Sequence, residues 1–178
     1  MAYMNETQGS NGISTQFVTF ALGEQTYGIP IMKLNEIIAY QQLTTIPNLP
    51  GFIKGVLNLR GLVIPVIDLR ERFNMESKGY DQLTVIIILE IAGQTMSVIV
   101  DSVSDVITLQ SDAIKPRPHF SSGIHTEFIQ GMGIKDNKFI ILLDVEKVLA
   151  PQDLSALKRL GANKAGPVKR PSEKVLRP

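Results

Sequence analysis

The chain contains no cysteine, no tryptophan and only two histidines, His119 and His125. Without cysteine there is no disulfide framework, no thiolate metal site and no cysteine nucleophile. The histidines are not the i, i+4 helical pair that a zinc protease presents, so they read as solvated loop residues and no metal is expected. A charge excess is lacking too: 18 Lys+Arg stand against 17 Asp+Glu, for a formal net charge of +1. Polyanion binders carry a marked basic excess, and an aromatic content of 6% offers little for bases to stack on. No nucleic-acid partner is expected. The longest apolar run, Val85 to Ile91, is broken by Glu90 and falls far below the ~20 residues that span a bilayer as a helix. The opening stretch MAYMNETQGSNGIST is too polar for the apolar region of a signal peptide. Together these absences point to an intracellular protein that does not insert into membranes.

Catalytic patterns are also missing. The GMG of Gly131 to Gly133 lacks the Gly-Lys-Ser/Thr ending of a phosphate loop, and no nucleophile-elbow pattern is present. Asp101 and Asp105 read as solvated edge carboxylates. The expectation is a binder without a cofactor, not an enzyme. An apolar cleft holding a small ligand is the competing reading, and it lacks convergent titratable groups.

What is present is β-strand material. From Phe17 onward FVTFAL, TYGIPI, FIKGVLNL, LVIPVIDL, LTVIIILEI, MSVIVDSV and KFIILLDV are strand-length, rich in β-branched residues and separated by Gly, Pro, Asn and Asp. Residues 1–15 are expected to be a flexible leader. Helical spacing is confined to the short MKLNEII stretch and to residues 151–160, where Leu154, Leu157 and Leu160 recur behind Pro151. Residues 161–178 form a basic tail, expected to be disordered, carrying Lys164, Lys169, Arg170, Lys174 and Arg177. It reads as a solvated end; weak attraction to an anionic membrane surface is the alternative. All-β with one short C-terminal helix is the expected class.

The most informative feature is an internal repeat. Laying Gln25 on Gln94 places Thr26 on Thr95, Ile29 on Val98, Glu36 on Asp105 and Ile38 on Ile107, an offset of 69; Phe17 falls on Ile86 and Phe20 on Leu89. Further on, Gly55 falls on Gly131, Ile64 on Ile140, Asp68 on Asp144 and Phe73 on Leu149, an offset of 76. The extra seven residues are assigned to the second copy, in the loop His119 to His125. The copies run over about residues 17–73 and 83–149. About five short strands each suit a pair of small barrels that can exchange an edge strand.

One turn stands out. Asn58-Leu59-Arg60-Gly61 joins two apolar runs and reads as a hairpin tip, with Gly61 free to take positive φ. Arg60 then projects a permanently charged planar fork, whereas the second copy has Asp136 and Asn137 there, ordinary turn residues. Glu36 is placed to pair with Arg60 and orient it, a pairing with little effect on stability. Leu34 is either core or the apolar centre of a charge-rimmed binding patch.

The string TYGIPIMKLNEI, then IPNLPGFIKGVLNLRGLVIPVIDLR, and later VIVDSVSDVITL, IKPRPHF and FIQGMG closely resemble the CheW-like domain, from about Phe17 to Leu149. The resemblance implies residues 16–150 folded as two five-stranded Src-homology-3-like β-barrels about a pseudo-twofold. It implies a chemotaxis coupling adaptor that binds both the cytoplasmic tips of methyl-accepting chemoreceptors and the regulatory domain of a CheA-type histidine kinase. Copies assembled into rings are a further implied partner, and the implied location is cytoplasmic, at receptor arrays beneath the inner membrane. Carried over by motif, the receptor-binding residues are Leu34, Glu36, Gly55, Asn58 and Arg60; the kinase-binding residues stay unassigned. A kinase regulatory domain or a paralogue serving another array shares the same pattern.

Overall fold

The computed structural model describes residues 12–117 and 126–149. The segments expected as a C-terminal helix and basic tail, and both histidines, lie outside the described residues, as does most of the expected leader. The strands are β1 (Ser14–Leu22), β2 (Gln25–Pro30), β3 (Leu34–Ala39), β4 (Ile53–Leu59), β5 (Leu62–Asp68), β6 (Val85–Ile91), β7 (Gln94–Val100), β8 (Ser102–Gln110), β9 (Ile129–Lys135) and β10 (Lys138–Leu143). One-turn helices α1 (Leu69–Arg72) and α2 (Val145–Val148) follow β5 and β10.

The strands form two five-stranded sheets, ordered β8-β1-β2-β10-β9 and β3-β6-β7-β5-β4. Adding or subtracting five from every strand number turns one order into the other. The pseudo-twofold is therefore written into the topology, and each sheet is composite, because both draw strands from both copies of the repeat. Register repeats as well. Phe17↔Pro30 in β1–β2 recurs as Ile86↔Ile99 in β6–β7, and Leu57↔Ile64 recurs as Gly133↔Ile140. Even the irregularities recur: the shift between Leu34 and Glu36 against β6 matches the one in β1–β8 at Thr19/Phe20.

The MKLNEII stretch is not helical. Ile31–Lys33 make a single 3-10 turn and Leu34–Ala39 is strand β3. Its half-buried positions alternate at 34, 36 and 38, and its partner is β6, far away in sequence. A seven-residue window with two adjacent β-branched isoleucines fits either period, and sheet pairing decides it. The seven extra residues of the second copy are also not all in the His119–His125 loop. Thr44 bridges to Val56 as Lys115 bridges to Met132, an offset of 71 for the first residue of each pair. Two of the seven extra residues therefore precede Lys115 and five follow it.

Each sheet curls over its own core without closing. One core gathers Leu57, Ile64, Val66, Ile86, Ile88 and Ile99; the other gathers Phe17, Ile107, Leu109, Ile140 and Leu142. Each such buried side chain contributes about 1.5–3 kcal/mol by leaving water. Asp68 caps α1, accepting from the backbone N–H groups of Arg70 (2.9 Å) and Glu71 (3.4 Å), and Asp144 accepts from the Lys147 N–H at 3.3 Å. This capping is the physical reason for the Asp shared by the two copies.

The two sheets are joined on their symmetry axis. The Arg72 guanidinium lies 4.8 Å from both the Phe52 and the Phe128 ring centroids, and those phenylalanines are repeat equivalents. Its Nε donates to the carbonyl of Val148, the equivalent of Arg72 itself, at 2.8 Å. Phe20, Tyr27, Phe73 and Phe128 continue the joint as a chain of ring contacts.

A second tie is Arg70–Asp101. The Arg70 Nε donates to Asp101 Oδ1 at 2.7 Å and Nη2 to Oδ2, while the Gly23 N–H donates to Oδ2 at 2.8 Å. Asp101 is thus a largely buried, bidentate partner rather than the solvated carboxylate expected from sequence. The Arg70 hydrogen bonds hold its carboxyl below the usual range against the opposing effect of burial. A depressed folded pKa gives stability that is complete above the unfolded value of about 3.9 and lost as pH falls through the folded one. Asp101→Asn is expected to cost about 1.5–3 kcal/mol at pH 7, and the gap from wild type should narrow below about pH 4. Urea unfolding at several pH values checks this; a gap that stays constant into acid contradicts it.

Gly55, in β4, has φ +145°, and a Cβ there would overlap the Thr44 carbonyl oxygen. Gly131, its equivalent, has room for a Cβ only within 2.9 Å of the Lys115 carbonyl. Both glycines let the segment after an edge strand press against the opposite edge. Gly55→Ala is expected to cost more than about 2 kcal/mol in urea unfolding, because neither the backbone angle nor the space admits a methyl group.

Candidate binding site

The β4–β5 hairpin turns in two residues, Arg60 and Gly61, with Leu59 opposite Leu62. Both turn residues have positive φ, 50° and 85°, the pattern of a type I′ turn that matches the strand twist. Gly61 accepts this freely. Arg60 does not: a non-glycine residue in the left-handed region costs about 1 kcal/mol, and Asn or Asp bears it better than Arg. The second hairpin has Asp136 and Asn137 there at φ 52° and 61°, the residues such a turn prefers. Asn58 holds the first tip in shape, its Oδ1 accepting from the Gly61 N–H at 3.1 Å.

Arg60 reaches from this tip to Glu36 on β3, and the two form an ion pair. β3 and β4 are the two edges of the sheet, so the pair bridges its open side. The Arg60 side chain is 74% exposed and that of Glu36 30%; the carboxylate is the seated partner and the guanidinium the presented one. Leu34, at the start of β3, is half-buried, Asn58 is exposed and Gly55 is buried in β4. The structure thus brings Glu36, Asn58 and Arg60 to one rim and sets Gly55 beneath, in a backbone role.

Sequence reasoning missed the apolar surroundings. Ile37, next to Glu36, is exposed, as are Leu62 and Val63, next to Arg60 and Gly61. In LVIPVID every residue but the last is apolar, so the strand carries no alternation to show which side chains face out; its burial changes along its length instead. Sequence reasoning also missed that the other sheet has a comparable feature. Asp105 pairs with Lys135 at 3.2 Å, and Val106, Ile134 and Phe139 on the same strands are exposed. The Val106 N–H and Lys135 hold the Asp105 carboxyl below the usual range. Asp105 is the repeat equivalent of Glu36, while the cation has moved one residue back from the turn. The chemistry of the two hairpins is therefore more alike than the turn residues alone suggest.

Among the described residues no group of three or more His, Asp or Glu is placed to hold a metal ion. No buried side-chain nitrogen or oxygen there lacks a hydrogen-bond partner. Asp101 and Asp105 have separate cationic partners and do not form a carboxylate pair. No helix of the described residues is long and apolar enough to cross a membrane.

Comparison with known proteins agrees with this architecture. Residues 16–152 match the model of the CheW-like domain. The chain is 41% identical to the chemotaxis protein CheW of Klebsiella aerogenes, over 80% of this chain and 86% of that one. It is 33% identical to the chemotaxis protein CheW of Treponema pallidum, over 82% and 88%. The crystal structure of the scaffolding protein TtCheW from Thermoanaerobacter tengcongensis superposes with a TM-score of 0.70 at 39% identity, covering 74% of this chain and 90% of that one. With two pseudo-equivalent five-stranded sheets and these matches, the chain belongs to the CheW-like family of chemotaxis scaffold proteins, which are not enzymes.

Proposed function

We propose that this protein couples methyl-accepting chemoreceptors to a CheA-type histidine kinase by binding both without covalent chemistry. The observation that carries the reading is the Glu36–Arg60 pair at the hairpin tip. A long cationic side chain occupies a left-handed turn position that costs it energy and is oriented by a carboxylate from the opposite sheet edge, and the strands that carry the pair also expose Ile37, Leu62 and Val63. Apolar contact area around an oriented, exposed arginine is the composition of a protein-binding hot spot.

The receptor's cytoplasmic tip is the proposed occupant, a helical hairpin end seated on Leu34, Glu36, Asn58 and Arg60, with Gly55 holding the strand beneath. Arg60 meets receptor carboxylates or carbonyls, while Ile37, Leu62 and Val63 cover apolar helix positions. The kinase's regulatory domain is the second partner. The other barrel's Asp105–Lys135 pair, with Val106, Ile134 and Phe139, leaves a separate surface for a further contact, and quasi-equivalent surfaces on two barrels favour end-to-end rings. The proposed location is the cytoplasmic face of receptor arrays.

Arg60→Asn separates this reading from a structural one. Asparagine suits a type I′ turn, which offsets the loss of an exposed ion pair worth about 0–1 kcal/mol. The unfolding midpoint is expected to stay level or rise, while affinity for a receptor-tip peptide bundle falls about tenfold or more and affinity for the kinase regulatory domain holds. Titration calorimetry beside urea unfolding checks it. Receptor affinity that is unchanged, or that falls only in step with stability, sinks the assignment.

A further inference from the structure

The two copies of the repeat carry one pair of contacts in opposite polarity. In the sheet containing β5, the helix after the hairpin supplies a cation and the neighbouring strand junction an anion: Arg70 on α1 with Asp101, between β7 and β8. In the sheet containing β10 the signs are exchanged. The helix supplies Glu146 on α2, and the junction supplies Lys33, between β2 and β3, at 2.8 Å. Arg70 and Glu146 are repeat equivalents, and Lys33 and Asp101 belong to equivalent strand junctions. Each pair joins a hairpin–helix unit of one copy to a junction of the other.

This matters because the two hairpins are otherwise alike. The β4–β5–α1 and β9–β10–α2 units share register, turn length and capping aspartate, and their docking strands offer interchangeable aliphatic faces: Ile64 for Ile140, Val66 for Leu142. The connections to the hairpins, residues 40–52 and 111–128, are long beside the turns within the sheets; thirteen extended residues span about 40 Å. If the hairpins exchanged places, Arg70 would meet Lys33 and Glu146 would meet Asp101, like charge against like at both junctions. A size match acts in the same direction. Gly28 lies beside Leu142, whose Cδ2 is 3.0 Å from where a Cβ would stand, whereas the matching position beside the smaller Val66 is Ser97.

We propose that the reversed polarity of Arg70–Asp101 and Lys33–Glu146 tells the two hairpins apart during folding, directing β9–β10–α2 onto β2 and β4–β5–α1 onto β7. Duplication creates two docking sites that fit either hairpin. Opposite charge patterns remove the ambiguity by penalising the wrong docking at two places at once, at little cost to the right one. The net gain from the exposed Lys33–Glu146 pair in the native fold is small; its role lies in the alternative it disfavours.

The full-length chain, which has no cysteine of its own, allows a direct test with introduced pairs. Lys115 and Met132 exchange two backbone hydrogen bonds of 2.8 and 2.9 Å, and hairpin exchange would put Val56, the equivalent of Met132, in that place. Lys115→Cys with Met132→Cys reports native docking; Lys115→Cys with Val56→Cys reports the exchanged one. Both pairs are built in three backgrounds: native charges, K33E/E146K, and K33E/E146K/R70D/D101R. In K33E/E146K native docking keeps an opposite-charge pair at 33 and 146, and exchanged docking now meets opposite charges at both junctions. The four-fold variant restores like-charge contacts in the exchanged form. After oxidative refolding, the share of chain trapped by the 115–56 disulfide is expected to rise about tenfold in K33E/E146K and to return to the native level in the four-fold variant. Equal 115–56 yields with native charges and in K33E/E146K overturn the proposal. So does a rise that the four-fold variant does not reverse, and so does loss of both disulfides in K33E/E146K.

Discussion

The structure depends on two connections that carry the chain from one sheet into the other. β2 passes into β3 through three residues, Ile31–Lys33, and β7 into β8 through Asp101 alone. A single residue is too short for a hairpin, and Ile31–Lys33 form a 3-10 turn instead of one, so each pair of strands passes from one sheet into the other. β3 must then pair with β6 of the second copy, and β8 with β1 of the first. From this follow the composite sheets and the dependence of each core on strands from both halves. Neither copy holds a complete barrel, so the two are expected to fold as one cooperative unit.

That coupling suits a scaffold. Arg72 between Phe52 and Phe128, its bond to Val148, and the ring contacts through Phe73 place a packed joint on the pseudo-twofold. The ion pairs at the junctions add ties from α1 to Asp101 and from Lys33 to α2. Two outward ion pairs with apolar neighbours, Glu36–Arg60 and Asp105–Lys135, are thereby carried on a single body. In the proposed function the information passed from receptor to kinase is positional, and a body held together at its centre transmits position better than two linked domains.

Much of this was legible in the sequence. The repeat offsets of 69 and 76 are the offsets between equivalent ladders, because side-chain alternation and turn residues fix register in any hairpin. Asp68 and Asp144 were legible as a shared position, and their capping role explains the sharing. The Glu36–Arg60 pairing was legible because an arginine at a turn tip invites a reason. Other features were not. MKLNEII reads as helical in sequence because seven residues admit two periods until a distant partner strand chooses. Asp101 reads as a solvated carboxylate in sequence because its partner, Arg70, is brought to it by tertiary structure, not by spacing. Ile37, Leu62 and Val63 were hidden because runs of apolar residues do not show which members face outward. The sequence offers strand exchange only as a possibility of duplicated barrels; its extent is read from the pairing, which carries β3 and β8 into the opposite sheets.

The most direct test of the account is whether one copy of this chain holds both proposed partners at once. Sedimentation velocity of the full-length protein with a receptor-tip bundle and a kinase regulatory domain, each labelled with a different dye, reads this in a single experiment. The account predicts a faster species in which both dyes and the unlabelled chain move together, formed from partners that do not join without it. Mutual displacement, with either partner expelling the other from an otherwise folded chain, would contradict the coupling role.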